Sequence, residues 1–245
     1  MRPHEIIPSH YADEAGKRAF VLDLFNRGAR YYDLIGRVGF LGTGYLHRRR
    51  VLLGAGLKPG MDVLDVACGT GAVTRAAVEI LGGNGRVCGV DPSEGMLAEA
   101  RKSIRAEFHL GHAEELPFAD ATFDFLSMGY ALRHVVDLDH TLAEYRRVLR
   151  PGGHLLILEI SRPQTRAGVI AARTYFRDIL PTVSWLVTGS GDARRMMAYY
   201  WKTIDACVPP AAILEAIHGA GFQQVERRIE LGIFSAYMAV RGTTG

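Results

Sequence analysis

At 245 residues, 48% hydrophobic and 22% charged, the chain reads as one ordinary globular unit with room for a small cap. Its formal charge of +3 is too small to argue for nucleic acid, no apolar run approaches the roughly 20 residues of a membrane span, and no signal-like apolar stretch follows Met1. Cys68, Cys88 and Cys207 make neither a disulfide framework nor a metal pair, which favours a reducing, cytoplasmic setting and no metal.

Residues 1–57 place aromatic, aliphatic and basic side chains at helical spacing, among them Phe20, Leu24, Phe25, Tyr31, Tyr32 and Leu34, and predict a helical cap. Gly36, Gly39, Gly42 and Gly44 break that pattern into a loop before a second helix over 46–53. The basic cluster His47-Arg48-Arg49-Arg50, with Arg27, Arg30 and Arg37 upstream, reads as a solvated helix face, or else as an anion or lipid-headgroup patch. Strands are expected over 61–67, 86–90, 107–110, 123–128 and 154–160. Helices lie between them over 73–81, over 93–105 behind Ser93 as N-cap, and over 138–150 before Pro151-Gly152-Gly153. Such alternation implies a Rossmann-like, doubly wound α/β fold with a mostly parallel sheet. Residues 162–205 form a helical insertion rich in aromatics, including Tyr175, Phe176, Trp185, Tyr199, Tyr200 and Trp201. A helix over 210–220 and two strands over 223–231 and 233–240, joined at Gly232, complete seven strands with an antiparallel hairpin. The expected division is a cap over 1–57 and a core over 58–245 carrying the insertion.

The turn after the first strand carries the chemistry. Gly69-Thr70-Gly71 opens a helix, where backbone N–H groups and the helix dipole favour a polar ligand and glycine lets it come close. Nucleotide cofactors use such a pair too, but Thr74 stands where the dinucleotide fingerprint has its third glycine. Asp65, near the end of the strand, would oppose a pyrophosphate, and it suits the ammonium and sulfonium charges of S-adenosylmethionine. Its other reading is an Asp that caps the turn. Asp91 closes the second strand about 20 residues beyond Gly71, where an acidic side chain reaches ribose hydroxyls in either cofactor class.

Further along stand Ala113-Glu114-Glu115-Leu116-Pro117-Phe118, then Thr122-Phe123-Asp124, Leu132-Arg133, the run from Tyr145 through Arg150-Pro151-Gly152-Gly153, and Leu158-Glu159-Ile160-Ser161. With the glycine loop, these segments resemble the UbiE/COQ5 family of methyltransferases, which methylate ring carbon in ubiquinone and menaquinone synthesis. The similarity runs from about Tyr32 to Phe222. The resemblance implies that Asp65, Gly69 and Gly71 contact the methionine part of S-adenosylmethionine, and that Asp91 holds the ribose among Pro92, Ser93 and Met96. It implies His112 and Ala113 beside the adenine, and Met128 with Tyr32-Asp33 on the sulfonium side. Met96 and Met128 also read as core residues, and His112 as a solvated loop residue. The family commonly has Asn where this chain has His134, its cap is less glycine-rich than residues 36–44, and the segment 181–204 is longer here and carries Trp201. All three departures fall on the acceptor side, so the acceptor need not be a respiratory quinol.

Methylating a ring carbon requires alignment, exclusion of water, and electron density from a deprotonated neighbouring hydroxyl. His134 is the expected base and Arg133 the expected stabiliser of the phenolate; a structural histidine and a paired arginine are the alternatives. The expected partner is a small aromatic or prenylated acceptor, with no nucleic acid, at most peripheral membrane contact, and a homodimer left open. Methylation of oxygen or nitrogen on a specialised metabolite, a nicotinamide-dependent oxidoreductase, and a non-catalytic scaffold are the competing functions.

Overall fold

The computed structural model describes residues 1–8 and 10–243, so Thr244 and Gly245, the end of the expected core, lie outside the described residues. Two helices, α1 (Glu14–Gly39) and α2 (Gly44–Gly54), precede β1 (Asp62–Val66), α3 (Ala72–Leu81), β2 (Arg86–Asp91), α4 (Glu94–Arg101) and β3 (Glu107–Leu110). The second half holds β4 (Phe123–Gly129), α5 (Leu138–Val148) and β5 (Leu149–Ile160). Next, α6 (Arg166–Arg173) runs through a π-helical turn, Thr174–Ile179, into α7 (Leu180–Thr188). Then come α8 (Gly191–Ala206), α9 (Pro210–Gly219) and the hairpin β6 (Phe222–Glu230) and β7 (Phe234–Arg241).

Among the described residues the seven strands lie in the order β3-β2-β1-β4-β5-β7-β6. β1 to β5 are mutually parallel, and β7 runs antiparallel to both of its neighbours. The strand order reverses at β1 and β4, and the crevice beyond their carboxyl ends is where such sheets bind ligands. Strand side chains alternate between two cores. Leu64, Val66, Leu126, Met128, Leu155 and Ile157 pack with α5 and α9, whereas Val63, Phe125, Leu156 and Leu158 pack with α2 and α3. A third cluster joins Leu24 and Ile35 of α1 to Phe176, Leu180, Met196 and Tyr199.

Three expected boundaries move. α1 continues through Gly36 and Gly39, which confines the expected loop to residues 40–43. A Cβ on Gly39 would come within 2.7 Å of Leu180 Cδ1, so glycine here permits close approach of α7. That packing outweighs the roughly 1 kcal/mol each glycine costs inside a helix. β5 begins at Leu149, paired with Phe123, and carries Pro151-Gly152-Gly153 within it, with Gly152 at φ +80°. α4 keeps Ser93 as its N-cap, the hydroxyl accepting from Met96 N at 3.1 Å, but ends at Arg101.

Candidate active site

β1 leads into α3 through a turn in which Ala67 (φ +52°), Gly69 (+57°) and Gly71 (+82°) are all left-handed. A Cβ on Gly71 would collide with Ile104 Cδ1, so both conformation and space call for glycine. A Cβ on Gly69 would meet nothing within 4 Å, which leaves open room against the backbone. Ala67 holds the same left-handed geometry with a side chain, a strain of the kind that gathers at binding sites.

The two carboxylates beside this turn do different work. Asp65 is fully buried; Oδ2 accepts from Thr74 Oγ1 at 2.6 Å and Oδ1 from Ser127 Oγ at 2.8 Å. It therefore joins β4 to the first turn of α3 from beneath the loop, and it does not reach a cavity wall as the sequence reading expected. Asp91 does reach one: Oδ2 accepts from Gly69 N and Oδ1 from Ser93 N, both at 2.8 Å, while the carboxylate faces a cavity of about 500 Å³. Burial, only partly offset by the hydrogen bonds each accepts, pushes both carboxyls up to about 6.

That cavity brings together Tyr32, Gly69, Asp91, Pro92, Met96, His112, Ala113 and Met128. Of the residues expected to hold the cofactor, Asp33, Asp65 and Gly71 are missing from its walls; Asp65 and Gly71 lie behind it, and Asp33 lines a neighbouring cavity. Met128 is held by Tyr145, whose hydroxyl donates to Sδ at 3.5 Å. The outer wall is a stripe of α1, with Arg18, Leu22, Phe25 and Tyr32 at three-, four- and seven-residue spacing. Two polar clasps pin this stripe. Ser93 Oγ and Gly95 N both donate to Asn26 Oδ1, at 2.7 and 2.9 Å, and Thr70 Oγ1 donates to Asp33 Oδ1 at 2.5 Å. The sequence reading missed Asn26; its seven-residue offset from Asp33, which puts both on one helix face, was the available signal.

Two more cavities share walls with the first. One, of about 670 Å³, is lined by Phe40, Tyr130, Ile160, Leu231 and Phe234 together with Leu46, His47 and Arg48. The other, of about 520 Å³, lies along Asp33, Thr70, Arg75, Arg37 and Arg48. Tyr32 and Tyr200 border all three cavities, with their hydroxyls 2.6 Å apart. Tyr130 borders the first two at φ +62°, a second strained residue at the site. Arg48, read from sequence as part of a solvated face, stacks over the Tyr130 ring at 5.4 Å, and its Nε is buried without a partner among the described residues.

Arg133 and His134 form the short 3₁₀ turn Leu132–His134 after β4. Arg133 is fully buried; Nη1 donates to Glu159 Oε1 at 2.5 Å and to Tyr130 O at 2.7 Å, and Nε donates to Thr203 Oγ1 at 3.0 Å. Its guanidinium lies 4.9 Å from the Tyr200 ring centre. Arg133 was expected to face the acceptor, with pairing to a carboxylate as the alternative; it pairs with Glu159 of β5 and lines none of the three cavities. His134 lines the first cavity, stacks on Tyr199 at 5.8 Å, and has no hydrogen-bond partner on either ring nitrogen among the described residues. Burial, together with the nearby Arg133, His4 and Lys17, lowers its pKa well below the usual histidine range.

The cavity offers what S-adenosylmethionine requires. An acidic residue ends β2, open backbone lies at Gly69, and Met96, Ala113 and Met128 give the cavity apolar wall. With the strand order and the terminal antiparallel strands, these features define a class I S-adenosylmethionine-dependent methyltransferase. The model of the ubiE/COQ5 methyltransferase family matches residues 12–241, and the chain belongs to that family. It is 33% identical over 239 residues to a demethylmenaquinone methyltransferase of Symbiobacterium thermophilum, covering 94% of this chain and 95% of the relative. It is 34% identical to the ubiquinone/menaquinone biosynthesis C-methyltransferase UbiE of Shewanella halifaxensis, covering 86% of each. Among solved structures, a SAM-dependent methyltransferase from Aquifex aeolicus superposes with a TM-score of 0.61 at 20% identity, over 85% of this chain and 97% of that one. Phosphoethanolamine N-methyltransferase 2 of Haemonchus contortus, in complex with S-adenosylmethionine, gives 0.63 at 18% identity, over 89% and 57%. The nicotinamide-dependent alternative falls with these matches.

Proposed function

We propose that this enzyme methylates a ring carbon of an electron-rich, lipophilic aromatic acceptor, a quinol or a close chemical relative. The observation that carries the reading is the shared wall. An aromatic cavity large enough for a substituted ring meets the cofactor cavity at Tyr32, Tyr130 and Tyr200. The names of the two relatives above, one a demethylmenaquinone methyltransferase and one a C-methyltransferase, favour carbon and a quinone-type ring.

S-adenosylmethionine supplies a methyl group already activated on positively charged sulfur; the protein's part is to place and shield. In this reading Asp91 receives the ribose hydroxyls on the lone pairs that Gly69 N and Ser93 N leave free. Asp65 sets negative charge beneath the loop, favouring the ammonium group above it. Arg48, facing Thr70 and Arg75 across the third cavity, balances the carboxylate of the methionine moiety. Met96, His112, Ala113 and Pro92 form the adenine and ribose walls, with Met128 and Tyr32 toward the sulfur.

Arg133 serves as a positioning residue that fixes Tyr200 and Tyr130 O at the junction. His134, neutral at physiological pH and with both ring nitrogens unpartnered among the described residues, offers a ring nitrogen to the acceptor's hydroxyl at the cavity wall. Its lowered basicity suits it to polarise a hydroxyl rather than to keep the proton.

The test is incubation with methyl-labelled S-adenosylmethionine and a short-chain prenylated naphthoquinol or benzoquinol that has one free ring position. Label on ring carbon supports the reading. Label on oxygen, or turnover only with amines, overturns it.

A further inference from the structure

Cys88 of β2 stands opposite Glu107 of β3 in the parallel register, and His109 follows two residues later on the same face of β3. The thiol donates to Glu107 Oε2 at 3.5 Å, and His109 Nε2 lies 3.7 Å from that same oxygen. The three donor atoms fall within 4.8 Å of one another. His109 Nε2 is buried and has no hydrogen-bond partner among the described residues. Phe118 packs edge-on against the imidazole, 5.2 Å between ring centres, and holds it in place. None of the three residues lines a cavity described above, so the methyl transfer leaves them unexplained.

Their spacing is that of a metal's ligands. A tetrahedral zinc ion, with bonds of about 2.0–2.3 Å, sets sulfur, nitrogen and oxygen donors about 3.4–3.6 Å apart. Two of the separations here are already 3.5 and 3.7 Å. A thiolate and a carboxylate would balance the two positive charges of the ion, with a neutral imidazole as the third donor. We propose that Cys88, Glu107 and His109 bind a zinc-class divalent cation that clamps the β3 edge of the sheet to β2. The side chains of Glu107 and His109 are 55% and 40% exposed, which gives the ion an entrance and a water for its fourth position. Sulfur and imidazole donors select zinc over magnesium and calcium, which take oxygen. On binding, the thiol releases its proton to solvent and the S–H···O contact gives way to two metal bonds. The cysteines carry no metal spacing along the chain because strand register gathers these donors.

The clamp reaches the cofactor. β3 has four residues and pairs with β2 alone, at the edge of the sheet. From Leu110 the chain passes through Gly111 to His112 and Ala113, which line the first cavity. An ion on Glu107 and His109 orders that wall before the ligand arrives, which leaves less to order on binding. The coupling is reciprocal: zinc should tighten S-adenosylhomocysteine about fivefold, and the ligand should tighten zinc equally.

The test is titration of the full chain, freed of metal by a chelator, with Zn²⁺ by calorimetry and with Co²⁺ by absorption. Expected are one ion per chain, the charge-transfer band of a cobalt–thiolate bond, and the visible bands of a tetrahedral ion, none displaced by excess Mg²⁺. Cys88→Ser should abolish the charge-transfer band, while its hydroxyl keeps a donor for Glu107 and so retains the fold. His109→Gln, on the half-exposed edge, should weaken zinc at least about tenfold and leave the melting temperature of the metal-free protein unchanged. Absence of the thiolate band, a band that survives Cys88→Ser, or zinc affinity untouched by His109→Gln overturns the site. Cys88 would then be a hydrogen-bond donor and nothing more. Equal affinity for S-adenosylhomocysteine with and without zinc overturns the clamp on the cavity wall.

Discussion

Asp65 and Asp91 carry opposite pH signs for the free enzyme and for its complex. Burial raises both from 3.8 to about 6, so the folded protein holds these protons more tightly than the unfolded chain does. Their contribution to stability is complete below pH 3.8 and is lost as pH rises through about 6. A ligand bearing an ammonium group and ribose hydroxyls calls for the ionised carboxylates instead. Affinity for S-adenosylhomocysteine is therefore expected to fall below pH 6, by up to about tenfold per pH unit for each group. Near pH 6 binding should release protons, which calorimetry in buffers of different ionisation enthalpy reads directly. Asp91→Asn turns one amide N–H₂ against Gly69 N or Ser93 N, and should cost about tenfold in affinity or more while flattening that pH profile. A profile unchanged by this substitution would remove Asp91 from the ligand's contacts.

At the scale of elements, the two glycines of the loop separate folding from binding. Gly71→Ala forces both a left-handed alanine and a clash with Ile104, and should lower stability by about 2 kcal/mol or more. Gly69→Ala meets open space, so about 1 kcal/mol of conformational strain is expected, yet the methyl group fills room the ligand needs. Thermal melts and titration with S-adenosylhomocysteine should thus rank the two variants in opposite orders. The buried Arg133–Glu159 pair ties the 3₁₀ turn to β5 and, through Thr203, to α8. Arg133→Met alone should cost about 3–5 kcal/mol by stranding Glu159, and adding Glu159→Gln should recover part of that loss; an uncorrected double variant would deny that charge stranding is the cause. The sheet was legible in the sequence because strands buried on both faces appear as apolar runs between helical periods, as at Val63–Val66 and Leu155–Ile160. The glycine turn and Asp91 were legible for the same local reason. The continuation of α1 through Gly39, the burial of Asp65, and the inward turn of Arg48 depend on Leu180, Ser127 and Tyr130, which lie far away in the chain, and no local period encodes them.

For the molecule as a whole, α1 is joined to the walls of the first cavity at few polar points. Asn26 and Asp33 lie seven residues apart, about 10 Å along the helix, and clasp the start of α4 and the glycine loop respectively. Next to them Phe25 and Tyr32 face the cavity, so a bound ligand fills the space under α1 and adds contact to the whole stripe. The sheet gains less, because β4 and β5 are already paired on both sides and packed by two cores. Hydrogen exchange should accordingly slow in the amides of residues 18–33 when S-adenosylhomocysteine binds, beyond any uniform slowing from added global stability. Cutting both clasps, with Asn26→Ala and Asp33→Ala together, removes about three hydrogen bonds and should weaken ligand affinity at least tenfold. Exchange in β4 and β5 should meanwhile remain at the parent rate. Equal protection of cap and sheet would mean that α1 and the core open as one unit; that outcome would also contradict the reading of residues 1–57 as a cap distinct from the core.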